Sequence, residues 1–129
     1  MSSAPSLDHV SQGGGLRIQL RNRDIIAKME TTVRQIADLI NAQRPKATLI
    51  DFREIPGPTT FIERYELGEM AGRCLAGRLI GVILRPDQAD RQEIGKVVAT
   101  NRGALVEVFT DATAAEAWLA KIAQPKAAP

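Results

Sequence analysis

The chain has 129 residues, 17 Lys+Arg against 15 Asp+Glu, a net charge of +2 and 44% hydrophobic residues, which fits one domain with a full core. The basic residues are spread along the chain, excluding the concentrated basic face that nucleic acid requires, and no apolar run reaches the roughly 18 residues of a membrane span. The start of the chain has neither the basic residues nor the apolar stretch of a secretory leader, so a cytoplasmic location is expected, and the single cysteine, Cys74, excludes an internal disulfide.

Residues 1–15 read as a flexible tail, rich in Ser, Pro and Gln and ending in Gly13-Gly14-Gly15. Leu16-Arg17-Ile18-Gln19-Leu20 alternates apolar and polar side chains, the pattern of a half-buried strand. After the turn at Asn22 to Asp24, residues Ile25, Ile26, Met29, Val33, Ile36, Ala37 and Ile40 recur at threes and fours, predicting an amphipathic helix that Pro45 ends. Ile25 and Ile26 also fit the end of a strand. Ala47 to Phe52 is a continuous apolar strand, and Ile55-Pro56-Gly57-Pro58 a rigid loop.

Thr59 or Thr60 then caps a helix whose inner face carries Phe61, Tyr65 (or Arg64), Leu67, Met70, Ala71, Cys74 and Leu75, stopped by Gly77. Cys74 reads as a small buried apolar residue, and Glu69 with Arg73 as a helical ion pair. Leu79 to Leu84 forms another buried strand, and Arg85-Pro86-Asp87 turns into a helix with Ile94, Val97 and Val98 inside. Asn101-Arg102-Gly103 stops that helix. Leu105, Val106, Val108 and Phe109 make the last strand. Thr110, Asp111 and Thr113 offer caps to a final helix, with capping-box spacing from Thr113 to Glu116. Residues 124–129 form a loose C-terminal tail. The order β-α-β-α-β-α-β-α over residues 16–123 implies a single α/β domain with a mostly parallel sheet and right-handed crossovers.

The only histidine, His9, and all four serines, Ser2, Ser3, Ser6 and Ser11, fall in the expected N-terminal tail. Neither a Ser-His-Asp nor a Cys-His site can then be assembled within residues 16–123, nor a zinc site of N and S ligands. There is no Gly-x-x-x-x-Gly-Lys-Thr loop and no Gly-x-Gly-x-x-Gly after a strand; Gly13-Gly14-Gly15 precedes the first one. No cofactor is expected. Asp51, Glu54, Asp87 and Asp111 stand near the C-terminal ends of strands, where open α/β sheets bind ligands. Asp87 and Asp111 read as caps and Asp51 as a structural carboxylate. A carboxylate-based enzyme requires two of Asp51, Glu54, Asp87 and Arg91 to converge.

Thr59 and Thr60 stand where unpaired amides and the positive end of a helix dipole meet, so a hydroxyl there either caps the helix or accepts a phosphate. Arg53 and Arg64 are candidates to bind an anion or a partner, or else pair with Glu54, Glu63 or Glu66.

Five blocks resemble the SpoIIAA-like, or STAS-like, superfamily of small bacterial α/β proteins: Leu49-Ile50-Asp51-Phe52-Arg53, Ile62-Glu63-Arg64-Tyr65-Glu66, the strand from Arg78 to Leu84, Ala99-Thr100-Asn101-Arg102-Gly103, and Val108-Phe109-Thr110-Asp111 leading to Ala117-Trp118-Leu119. The likeness covers residues 16–122 and is strongest in the last block, which is nearer the STAS-like branch than the sigma-pathway antagonists proper. It implies a four- or five-stranded mixed sheet flanked by helices. It also implies either a regulatory partner, switched in some members by phosphorylation of a Ser or Thr at a helix start, or an apolar ligand. Pro58-Thr59-Thr60-Phe61 occupies the place of the phosphoacceptor turn, without that turn's Asp and Gly. The resulting expectation is a non-enzymatic binding or regulatory module acting on a protein partner; the alternative is a carrier of a small molecule or lipid. The exposed sheet edges of such a fold leave a homodimer open.

Overall fold

A computed structural model describes residues 7–22, 24–89 and 93–123. Five strands, β1 (Leu7–Gln12), β2 (Gly15–Leu20), β3 (Ala47–Asp51), β4 (Leu79–Ile83) and β5 (Leu105–Phe109), form one sheet in the order β1-β2-β3-β4-β5. The first pair is antiparallel and the rest are parallel. The helices are α1 (Asp24–Ala27), α2 (Met29–Gln43), α3 (Phe61–Cys74), α4 (Ile94–Asn101) and α5 (Ala112–Ala123). The fold is therefore α/β with a five-stranded mixed sheet, as the alternation of patterns implies.

Strand β1 corrects the reading of residues 1–15 as a tail. Gln12 pairs with Gly15 across a two-residue loop, Gly13-Gly14, with Gly13 at φ 58°. A tight hairpin needs a left-handed residue there, which glycine adopts without steric cost. The glycine run is thus a turn, and Leu7 packs against the core. His9 lies opposite Ile18, and Ser11 donates its hydroxyl to Gln43 on α2. The sheet therefore carries both an imidazole and a serine hydroxyl, although His9 and Ser11 are exposed at an edge. Ser2, Ser3 and Ser6 lie outside the described residues, as does the tail expected at 124–129.

Each parallel strand lies beside its predecessor, so crossovers of one hand place their helices on one face. Leu16, Ile18, Leu20, Ile50 and Ile80 point to that face, against Val33, Ile36 and Ile40 of α2. Residue 28 interrupts the expected long helix: Lys28, at φ −127° and ψ 50°, separates α1 from α2. The last turn of α2 closes through Arg44, whose amide donates to the Ile40 carbonyl at 2.7 Å, with Pro45 following.

Helix α3 is turned from the expected orientation. Phe61 is 50% exposed and Tyr65 41% exposed, and the two rings stack with centroids 6.5 Å apart. Its fully buried residues are Gly68 and Gly72, because these face α4. Leu67, Met70, Ala71 and Cys74 do pack, half-buried, against the core.

Helix α5 follows the last strand and covers the other face, where Ala115 and Leu119 meet Ala47, Leu49 and Ile83. Its first turn is capped by Asp111, whose carboxylate accepts from the Thr113 amide at 3.0 Å. Glu116 does not complete a capping box; it forms an ion pair with Arg17 of β2 at 2.5 Å. Trp118 lies on Gly81 and against Phe109, ring centroids 5.6 Å apart. A methyl group on Gly81 would sit 2.6 Å from Cζ3 of Trp118. Gly81→Ala is expected to cost about 1–2 kcal/mol by forcing the indole aside, read from denaturant unfolding followed by Trp118 fluorescence.

Candidate functional site

The face of the sheet under α2–α4 is unevenly covered. Leu16 and Ile18 are sealed, yet Val82, Val106 and Val108, on the same face of β4 and β5, remain half-buried. The reason lies in α3 and α4. They approach closely because Gly68 faces Gly95 and Gly72 faces Ala99. A methyl group on Gly68 would fall 2.6 Å from the Gly95 carbonyl oxygen, and one on Gly72 would fall 2.3 Å from Cβ of Arg102. Towards the sheet the two helices contribute several short side chains, among them Ala71 and Ala99. A helix pair held by glycines and presenting alanines does not fill the space above a sheet of valines.

What remains is a cavity of about 150 Å³. Its floor is Ile50, Ile80, Val82, Val106 and Val108; its walls include Ile25, Ile36, Leu67 and Ala71. Protein interiors hold few voids larger than a water molecule; this space exceeds that size and is open to the surface. Polar groups enter the lining in one region, where Thr59, Glu63, Arg64, Gln88, Glu93 and Lys96 gather around the ends of α3 and α4. Arg64 donates to the Thr59 carbonyl at 2.6 Å and to its hydroxyl at 3.3 Å. Lys96 and Glu93 stand 3.7 Å apart.

The loop after β3 borders this region and is pinned by two side chains from the segment after β4. Arg85 donates to the carbonyls of Arg53 and of Ile55, the latter at 2.9 Å, while holding Asp87 at 3.0 Å. Gln88, only 7% exposed, donates to the carbonyls of Phe52 at 2.9 Å and Ile55 at 3.3 Å. It also accepts from the Arg85 amide at 2.7 Å. Buried amide groups placed this way carry a loop without regular structure, because its carbonyls would otherwise be orphaned.

The residues singled out in the sequence separate. Thr60 is the N-cap of α3: its hydroxyl accepts from the Glu63 amide at 3.1 Å and its amide donates to the Glu63 carboxylate at 2.8 Å. Thr59 and Arg64 come together at the cavity. Arg53 does not join them; it grips Asp51, with nitrogen–oxygen distances of 2.7 and 3.0 Å. Burial works against the charge on Asp51, but the Arg53 side chain and amide, with Arg17, hold its carboxyl below the usual value. Glu54 pairs with Arg21 at 2.9 Å. The Arg85 guanidinium lowers the pKa of Asp87. Asp51, Glu54 and Asp87 thus have three different arginine partners, and Arg91 lies outside the described residues. Cys74 is half-buried, and Glu69 meets Arg73 at 3.6 Å and also Arg102.

Sequence reasoning missed Arg85, Gln88 and the valine floor. One signal was present: Gly68 with Gly72 and Gly95 with Ala99 are small residues four apart on successive helices, the spacing of two faces in close contact. Among the described residues, no helix is long and apolar enough to cross a membrane. No protein-family model matches the chain, and no curated protein matches it.

Proposed function

We propose that this protein is a non-enzymatic binding module of STAS-like architecture whose ligand is a small, largely apolar molecule held between the sheet and helices α3 and α4. The observation that carries the reading is the cavity of about 150 Å³ over Val82, Val106 and Val108. An apolar cavity of about this size binds benzene in an engineered protein core. The five-stranded mixed sheet agrees with what the superfamily resemblance implies. The separate pairing of the strand-end carboxylates supports recognition over catalysis. A second reading, a protein partner seated on α3, is favoured by Phe61, Ile62 and Tyr65, all exposed in the first turns of that helix.

Thermal unfolding with toluene, cyclohexane and 1-octanol tests the first reading. A ligand at about 100 times its Kd adds about 2.7 kcal/mol to the stability of the folded state, so at least one of these should raise Tm by several degrees. Val82→Phe, which fills the floor, should abolish the rise while remaining folded. Equal Tm with and without every compound would overturn the reading, as would an undiminished rise in the filled variant.

A further inference from the structure

We infer that the ligand carries no charge: the cavity takes a hydrocarbon, or a neutral molecule with one hydroxyl, ether or carbonyl oxygen, and discriminates against carboxylates and amines alike. On the ligand-binding reading, on which this rests, the polar part of the lining decides the class of molecule. Among the described residues, four with charged side chains line the cavity: Glu63 and Arg64 in the first turn of α3, and Glu93 and Lys96 at the start of α4. Their formal charges cancel, and each has a partner. The Glu63 carboxylate accepts from the Thr60 amide, Arg64 donates to the carbonyl and hydroxyl of Thr59, and Lys96 stands 3.7 Å from Glu93. A helix start ordinarily attracts an anion. Here each start already carries a glutamate, Glu63 bonded at the N-cap of α3 and Glu93 as the N-cap of α4.

The uncharged polar residues of the lining add little. The Gln88 amide donates to the carbonyls of Phe52 and Ile55 and accepts from the Arg85 amide. Both oxygens of Thr59 accept from Arg64, which leaves its hydroxyl proton to donate to one neutral oxygen. An ion drawn over the apolar floor of Val82, Val106 and Val108 loses hydration and has to take a partner from one of these groups. A neutral molecule does neither.

Calorimetric titration of the purified chain at pH 7 and fixed ionic strength tests this with benzyl alcohol, benzoate and benzylammonium, which share one ring and differ in charge. A second set, 1-octanol, octanoate and octylammonium, keeps ligand shape from deciding the result. In each set the alcohol should bind at least about tenfold more tightly than either ion. The ratio of alcohol to carboxylate affinity should fall about threefold in Glu93→Gln, which frees Lys96, and rise by a similar factor in Lys96→Met, the change being that of a partly exposed charge pair. Glu93 makes no side-chain cap bond to α4, so Glu93→Gln should stay folded. An ion binding as tightly as its alcohol in either set, or a ratio unmoved by both substitutions, overturns the charge inference while the apolar-ligand reading survives. If neither the alcohols nor the ions bind, both fail.

Discussion

Gly68→Val should lower stability by about 3 kcal/mol, equivalent to roughly 10 °C in Tm for a domain of this size. The methyl of even an alanine would meet the Gly95 carbonyl oxygen at 2.6 Å, the Gly95 Cα at 3.1 Å and the Val98 Cβ at 3.1 Å. Two of these atoms are backbone and cannot rotate away, so α3 and α4 must part. Replacing a helix glycine ordinarily gains up to about 1 kcal/mol of helix propensity with alanine, less with a β-branched residue, and this does not offset the clash. The contact is asymmetric, which makes the expectation sharp. A methyl on Gly95 points elsewhere, 3.4 Å from the Arg64 carbonyl oxygen, an ordinary contact. Gly95→Ala should therefore be neutral or slightly stabilising. Equal losses at the two positions in chemical denaturation would show that close helix approach is not what Gly68 provides. Because α3 and α4 roof the cavity, Gly68→Ala should also change the rise in Tm given by toluene, cyclohexane or 1-octanol.

How much of this was legible in the residues follows from which patterns speak directly. The strands β2 to β5 announced themselves through alternation or short apolar runs, and the capping residues Thr60 and Asp111 through their positions before apolar periods. Strand β1 did not, because Leu7-Asp8-His9-Val10-Ser11-Gln12 has only two large apolar side chains and its pairing depends on a glycine turn that equally fits a loose segment. The orientation of α3 was missed because the periodicity weighed large apolar residues. Phe61 and Tyr65 fit the period as well as Leu67 and Ala71 do, but Gly68 and Gly72 decided which side faces inward. An unfilled space leaves no mark on hydrophobic periodicity: valine in a strand and alanine in a helix read as core whether or not they touch. The side chains that pin the loop after β3 were illegible for another reason. Arg85 and Gln88 act on carbonyls some thirty residues earlier in the chain, and nothing local marks such a long-range bond.

Asp51→Ala should cost about 3 kcal/mol at neutral pH. The carboxylate is nearly sealed, its side chain 3% exposed, and it accepts from both the side chain and the amide of Arg53. Arg53 itself is 40% exposed and regains water once its partner is gone, which keeps the loss at the lower end of the range for a broken buried pair. The pH dependence has a fixed sign. The folded state holds the Asp51 carboxyl below its ordinary value, so its contribution is complete above the unfolded value of about 3.9. It is lost as pH falls through the lower folded value. Between pH 7 and 5 the stability gap between the protein and Asp51→Asn should be constant; below about pH 4 it should close as the native carboxyl takes up its proton. A gap that narrows already between pH 7 and 5 would contradict the assignment. The effect also reaches the cavity. Arg53 offers its carbonyl to Arg85, which pins the loop bearing Ile55, so the carboxylate steadies a loop that borders the cavity. Asp51→Asn should accordingly reduce the rise in Tm that an apolar ligand such as toluene gives at pH 7, whereas an unchanged rise would show that the loop bordering the cavity does not depend on Asp51.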